Sequence, residues 1–176
     1  LIAHPAPADL NLYLEDDLVI HDPLFAHKML WMAHHSNQGC VLLPHRFEQT
    51  RHFGIAPRLL IDGPINHEEI ADWHRAEISV ATGQFRNEKK IRFDCPSNPH
   101  SGCFGITRYQ LNQLVSMQLP RCGFVGPLET AATLTVGCAF RILKPALVSR
   151  DFFMIEHGHP SYLGYIDSEQ YSPVPT

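Results

Sequence analysis

The sequence holds no CxxC pair, no HExxH segment and no apolar run near the ~20 residues that a membrane-spanning helix needs. These absences argue against a zinc ribbon, a zinc-protease helix and a membrane span within this chain. The five cysteines (Cys40, Cys95, Cys103, Cys122 and Cys138) are scattered and odd in number. They do not read as a disulfide framework, and they fit a reducing, cytoplasmic compartment. A lumenal or membrane-associated domain of a longer chain stays open. Basic runs are also missing. Lys89-Lys90 is the only basic doublet, placed like a hairpin tip, and the formal net charge is −4, so nucleic acid is not an expected partner. No internal repeat or low-complexity block appears. The chain opens on Leu1 without a signal-peptide pattern and reaches a buried-type strand within about ten residues. It therefore reads as the later part of a longer protein, with earlier strands preceding it.

What remains is ordinary for a globular domain. Apolar residues make up 44% and charged residues 18%. A chain of 176 residues buries roughly 70% of its unfolded surface and supports one domain with a real core. Histidine is abundant, at twelve. His34 and His35 are adjacent, so they face different ways on a helix and do not chelate as an i, i+4 pair.

The most informative segment is Glu15-Asp16-Asp17, which ends the apolar run Leu10–Leu14 and precedes Leu18-Val19-Ile20. Acidic residues are poor strand formers and costly to bury unpaired. Three at a strand end read either as a solvated acidic turn or as a site for a hard divalent cation, which takes carboxylate oxygen.

Along the chain, residues 10–14 read as a strand. Asp22-Pro23 reads as a helix start, with Asp22 as N-cap and Pro23 at the first helical position. That helix runs to about His35 with Leu24, Phe25, Met29 and Met32 on one side, and Asn37-Gln38-Gly39 ends it. Cys40–Leu43 and Arg58–Ile61 read as short strands, the second closed by Asp62-Gly63-Pro64. Glu68–Ala76 reads as a short helix. Ile78–Val80 and Ile91–Phe93 pair as a hairpin across Asn87-Glu88 within a polar, irregular stretch. Ser101–Ile106 is a Gly-flanked strand. Thr107 caps a helix to about Met117, with Leu111, Leu114 and Val115 on one face. Gly126-Pro127 opens another helix, with Glu129 in its first turn where the helix dipole favours an anion. Phe140–Leu143 is a late strand, and residues 161–176 read as an arm or disordered tail. Strands alternating with helices give an α/β class.

The run from Leu12 to Phe25, Leu-Tyr-Leu-Glu-Asp-Asp-Leu-Val-Ile-His-Asp-Pro-Leu-Phe, resembles the metal-site segment of GT-A fold glycosyltransferases. It is closest to those whose Asp-x-Asp signature is written Glu-Asp-Asp, as in the N-acetylglucosaminyltransferase I family. The resemblance implies a GT-A-like mixed sheet flanked by helices over residues 1–160, representing the metal and acceptor half and lacking the N-terminal nucleotide-binding strands. It implies Asp17 as the direct ligand of Mn²⁺ or Mg²⁺, with Glu15 and Asp16 toward a nucleotide-sugar donor. Two later segments are similar to the same fold in order of elements. Gly102-Cys103-Phe104-Gly105 precedes the helix from Thr107, and Cys122–Glu129 takes the place of a turn and acid, which makes Glu129 the implied catalytic base. Leu128 and Thr130 flank Glu129, so the usual acidic pair is missing there. Many members also supply a C-terminal histidine to the metal, and Glu156-His157-Gly158-His159 is the matching place, with His157 preferred.

The chemistry that the resemblance implies has a physical basis. A cation bridging two phosphates neutralises the charge that develops when a sugar nucleotide breaks, and an imidazole ligand tilts the choice toward Mn²⁺. In an extended segment residues i and i+2 point the same way, so His157 and His159 converge. Asp94, Asn98 and His100, among prolines, and Trp73 are candidates for the side that receives a carbohydrate or other hydroxyl acceptor, while Trp31 reads as core. Cys103 and Cys138 read as small buried hydrophobes. Two other classes stand beside a transferase: a metal-dependent hydrolase using Asp16, Asp17 and His157 or His159 to activate water, and a non-catalytic carbohydrate-binding relic.

Overall fold

The computed structural model describes residues 8–49, 57–60, 74–86, 89–117, 128–159 and 171–173. Among them the chain is mixed α/β, with strands in three hydrogen-bonded sets and few helices. A two-stranded antiparallel set joins β1 (Leu10–Leu14) to β8 (Cys103–Thr107). A five-stranded set runs in the order β11 (Tyr171–Pro173), β5 (Arg58–Leu60), β4 (His45–Glu48), β10 (Met154–His157) and β2 (Leu18–Val19). Only its β4–β10 pair is parallel. A four-stranded set runs β3 (Cys40–Leu42), β9 (Arg141–Pro145), β7 (Ile91–Cys95) and β6 (Glu77–Gly83), parallel only between β3 and β9.

The helices form where the apolar spacing and the caps agree. Helix α1 (Phe25–His35) buries Phe25, Met29, Met32 and Ala33, and Leu24 packs beside them. It starts later than the Asp-Pro pair suggests, because the Asp22 carboxylate is engaged in the preceding turn. Asp22 accepts from the Leu24 amide at 2.8 Å and from Lys28 Nζ at 2.6 Å, and Leu24 becomes the N-cap. The helix ends through Asn37 and Gln38 in left-handed conformation, φ 50° and 66°, with Gly39 following. Helix α2 (Arg108–Ser116) has a full capping box: Thr107 Oγ1 accepts from the Gln110 amide at 3.2 Å, and Gln110 Oε1 accepts from the Thr107 amide at 3.0 Å. Leu111 and Leu114 are buried as their spacing requires, but Val115 is exposed, rotated about 100° past Leu114 and off the apolar face. Helix α3 is Leu128–Gly137.

Two apolar clusters hold these layers. One gathers α1 with Phe93 of β7, Phe152, Phe153 and Ile155; Phe25 stacks on Phe153 at 4.4 Å between ring centroids. Trp31 packs against it, edge-on to Phe85 and Phe152, as a core residue. The other gathers Val41 of β3 and the following Leu43 with Phe104, Ile106, Leu111, Leu114, Val136 and Ile142 from β8, α2, α3 and β9. Each fully buried side chain of this size contributes about 1.5–3 kcal/mol.

The β6–β7 hairpin is longer than Ile78–Val80 and Ile91–Phe93 alone. It carries an irregularity between Glu77 and Ala81, where Ser79 takes φ 53°. Of the C-terminal stretch 161–176, Tyr171–Pro173 form an ordered arm along β5. The turn Asp62-Gly63-Pro64, most of the helix expected over Glu68–Ala76, the hairpin tip Asn87-Glu88 and Gly126-Pro127 lie outside the described residues; His74–Ala76 are irregular. No helix among the described residues is long and apolar enough to cross a membrane.

Candidate functional site

The acidic triplet sits where the chain passes from one strand set to another. The Glu15 amide donates to the Gly102 carbonyl at 3.0 Å, extending the β1–β8 ladder by one bond. The Leu18 amide then donates back to the Glu15 carbonyl at 3.3 Å, which closes a turn with Asp16 and Asp17 at its centre. Aspartate is a natural occupant of such a turn. From Leu18 the chain enters β2, which pairs with β10 in the register His157↔Leu18. The Gly158 amide donates to the Asp17 carbonyl at 2.6 Å, so the turn is fastened on both sides.

This register brings Asp17 to His157 from opposite ends of the chain. His157 Nε2 lies 3.0 Å from Asp17 Oδ2. On the other flank, the parallel β4–β10 register Glu156↔Phe47 runs on to set Glu48 beside His157. His157 Nδ1 lies 2.7 Å from Glu48 Oε1. The result is a carboxylate–imidazole–carboxylate row graded from water to core: the Asp17 side chain is 42% exposed, His157 8% and Glu48 0%. Asp17 Oδ1 is itself shielded from water and accepts no hydrogen bond among the described residues. His21 pairs with Glu156, the residue before His157.

The other sequence candidates divide. Glu15 is half-buried, with its carboxylate over Gly102; a Cβ on Gly102 would meet Glu15 Oε2 at 2.2 Å, and Gly102 has φ +63°. The positive φ favours glycine at that place. Cys103, fully buried next to Gly102, has its thiol pushed up to about 12, by burial first and by the Glu15 carboxylate second. It is a protonated, inert thiol. Asp16 is exposed. The extended segment ends at His157 and the chain bends at Gly158, with His157 buried and His159 exposed.

Glu129 lies in the first turn of α3. Asp94, on β7, accepts from the Ser79 amide at 2.6 Å and thereby holds the hairpin irregularity. It also lines a cavity of about 590 Å³ with His45, Glu77, Asn98, Lys144 and Pro145. The His100 carbonyl accepts from Lys144 Nζ at 2.5 Å, and its amide donates to Asn98 Oδ1 at 3.0 Å. The cavity lining includes neither Asp17 nor His157, so Asp94 and the acidic turn belong to separate places. Trp73 lies outside the described residues. Cys138 is half-buried rather than buried; burial raises its thiol, and those of Cys40 and Cys95, above the ordinary value.

Glu48 and Lys144 were not found from sequence. Each shares a short strand with an arginine, Arg46 in β4 and Arg141 in β9, and nothing in the local pattern separates a buried, partnered charge there from an exposed one. Among the described residues no group of three or more His, Cys, Asp or Glu is disposed to hold a metal ion. Asp17 and His157 supply two ligand types, and the other ring nitrogen of His157 faces Glu48. No family model, curated protein or solved structure matches the chain.

Proposed function

We propose that this protein is a divalent-metal-dependent glycosyltransferase of GT-A-like fold, moving a sugar from a nucleotide-sugar donor to an acceptor hydroxyl. The observation that carries the reading is the meeting of Asp17 and His157. They are the last acid of the Glu-Asp-Asp triplet and the C-terminal histidine that the resemblance implies as metal ligands, and they lie 3.0 Å apart.

The donor types of Asp17 and His157, a carboxylate oxygen and an imidazole nitrogen, suit Mn²⁺ or Mg²⁺. Asp17 Oδ1 is shielded and lacks a hydrogen-bond donor, and Asp17 Oδ2 and His157 Nε2 face each other. Two protein ligands suffice where substrate phosphates complete the shell, which is usual for Mg²⁺. The imidazole favours Mn²⁺. When bound, such a cation neutralises the charge developing on the leaving diphosphate. The chain's own residues do the rest. The turn fastened by Gly102 and Gly158 holds Asp17 in place, and Glu15 and Asp16, at the same turn, are the residues the reading assigns to the donor. Glu129, in the first turn of α3, is the proposed base that takes the acceptor proton in an inverting reaction. A positioned carboxylate contributes ~10²–10⁴-fold.

Thermal denaturation with UDP-, GDP- and CDP-sugars, each with and without Mn²⁺, tests this. At 100 times Kd, a ligand specific for the native state contributes about 2.7 kcal/mol, a rise of roughly 5–11 °C for a domain of this size. The rise should require both Mn²⁺ and one nucleotide, and Asp17→Ala should abolish it. Release of free sugar from the donor without any acceptor would instead identify a hydrolase. A nucleotide effect indifferent to Mn²⁺ and to Asp17 would end the metal reading.

A further inference from the structure

We propose that Glu48 is a positioning residue for the cation site, fixing the ring of His157 so that Nε2 is presented beside Asp17. The inference rests on the divalent-cation reading of the Asp17–His157 pair. Its geometric basis is independent of any resemblance. Glu48 comes from β4, a strand that the sequence pattern did not connect to the triplet, and reaches His157 Nδ1 at 2.7 Å from a position with no exposure to water.

A histidine that binds a cation through one ring nitrogen needs the other fixed. A carboxylate accepting from Nδ1–H selects the tautomer with its lone pair on Nε2 and holds the ring plane. The fold supplies these conditions. Parallel pairing of β4 with β10 sets Glu48 on one flank of His157, antiparallel pairing of β10 with β2 sets Asp17 on the other, and the ring is confined between them. Ring rotation would place carbon atoms against both carboxylates, so the contacts define one orientation. Burying a carboxylate is expensive unless it is partnered, and one partner here is His157, whose Nε2 lies beside the more exposed Asp17.

The test measures cation binding rather than turnover. The full chain, Glu48→Gln, Glu48→Ala and His157→Ala are titrated with Mn²⁺ alone and with Mn²⁺ plus UDP, GDP or CDP. Electron paramagnetic resonance reads free and bound Mn²⁺, and spin-echo modulation reads a directly bound imidazole ¹⁴N. We expect the ¹⁴N modulation in the unaltered protein and its loss in His157→Ala. Glu48→Ala should weaken Mn²⁺ binding about 10–100-fold and diminish the modulation. Glu48→Gln, which keeps an oxygen acceptor for Nδ1–H and the side-chain volume, should recover part of both and carries the test if the alanine variant does not fold. Unchanged affinity and modulation in the glutamine and alanine variants would overturn the role of Glu48 and leave the cation reading standing. Weakened binding with undiminished modulation would also overturn it, because a merely structural residue gives that result. Absence of ¹⁴N modulation in the unaltered protein under every condition would overturn the cation reading and this inference with it.

Discussion

Replacing His157 by alanine removes the imidazole from the Glu48 carboxylate, which has no exposure to water. Deleting one partner of a buried ion pair costs about 3–5 kcal/mol where the remaining charge has no other counterpart. We expect the lower end, about 3 kcal/mol, since Glu48 keeps a further interaction and Asp17 on the other side of the ring is 42% exposed and regains water. At about 2–4 °C per kcal/mol for a domain of this size, the melting temperature should fall by roughly 6–12 °C. The decisive form is a double-mutant cycle. If the loss comes from the Glu48–His157 contact, Glu48→Leu should cost less in the His157→Ala background than in the parent, by a coupling of about 1–3 kcal/mol. Urea denaturation followed by circular dichroism gives each corner of the cycle. Additive effects, or a His157→Ala protein as stable as the parent, would refute the argument that the two side chains are coupled across β4 and β10.

Three further outcomes follow from the geometry. A Cβ on Gly158 would lie 2.9 Å from the Asp17 carbonyl oxygen, a backbone atom that cannot rotate away. Gly158→Ala should therefore cost about 1–3 kcal/mol and weaken Mn²⁺ binding, read by denaturation and by titration. The Cys103 thiol is pushed up to about 12 from an ordinary 9.0, so between those pH values the native state holds a proton that the unfolded chain has lost. Stability should fall as pH rises through that window, by up to about 1.4 kcal/mol per pH unit. Cys103→Ala should flatten that part of the profile, and an identical slope in both proteins would contradict the burial argument. Glu129→Gln should lower turnover ~10²–10⁴-fold with donor binding unchanged; normal turnover would remove Glu129 as the base.

The sequence by itself determined the local elements whose causes are local. The Leu10–Leu14 strand, the Phe25–His35 helix with its Phe25–Met29–Met32 stripe and the Thr107 capping box follow from side-chain period and cap chemistry within a few residues. It also marked Asp17 and His157 as residues of interest, one through a cluster of carboxylates and the other through resemblance. Tertiary structure alone decided that they meet. Strand pairing joins positions with no sequence signal for one another, and a one-residue slip of β10 would turn His157 to the other face. The same pairing buried Glu48 and exposed His159. It also placed Asp94 in a hairpin irregularity and at a cavity whose lining leaves out Asp17 and His157. Where a charge lies in a strand is written in the sequence; whether it is buried, and beside which partner, is fixed only by the register of strands that lie far apart along the chain.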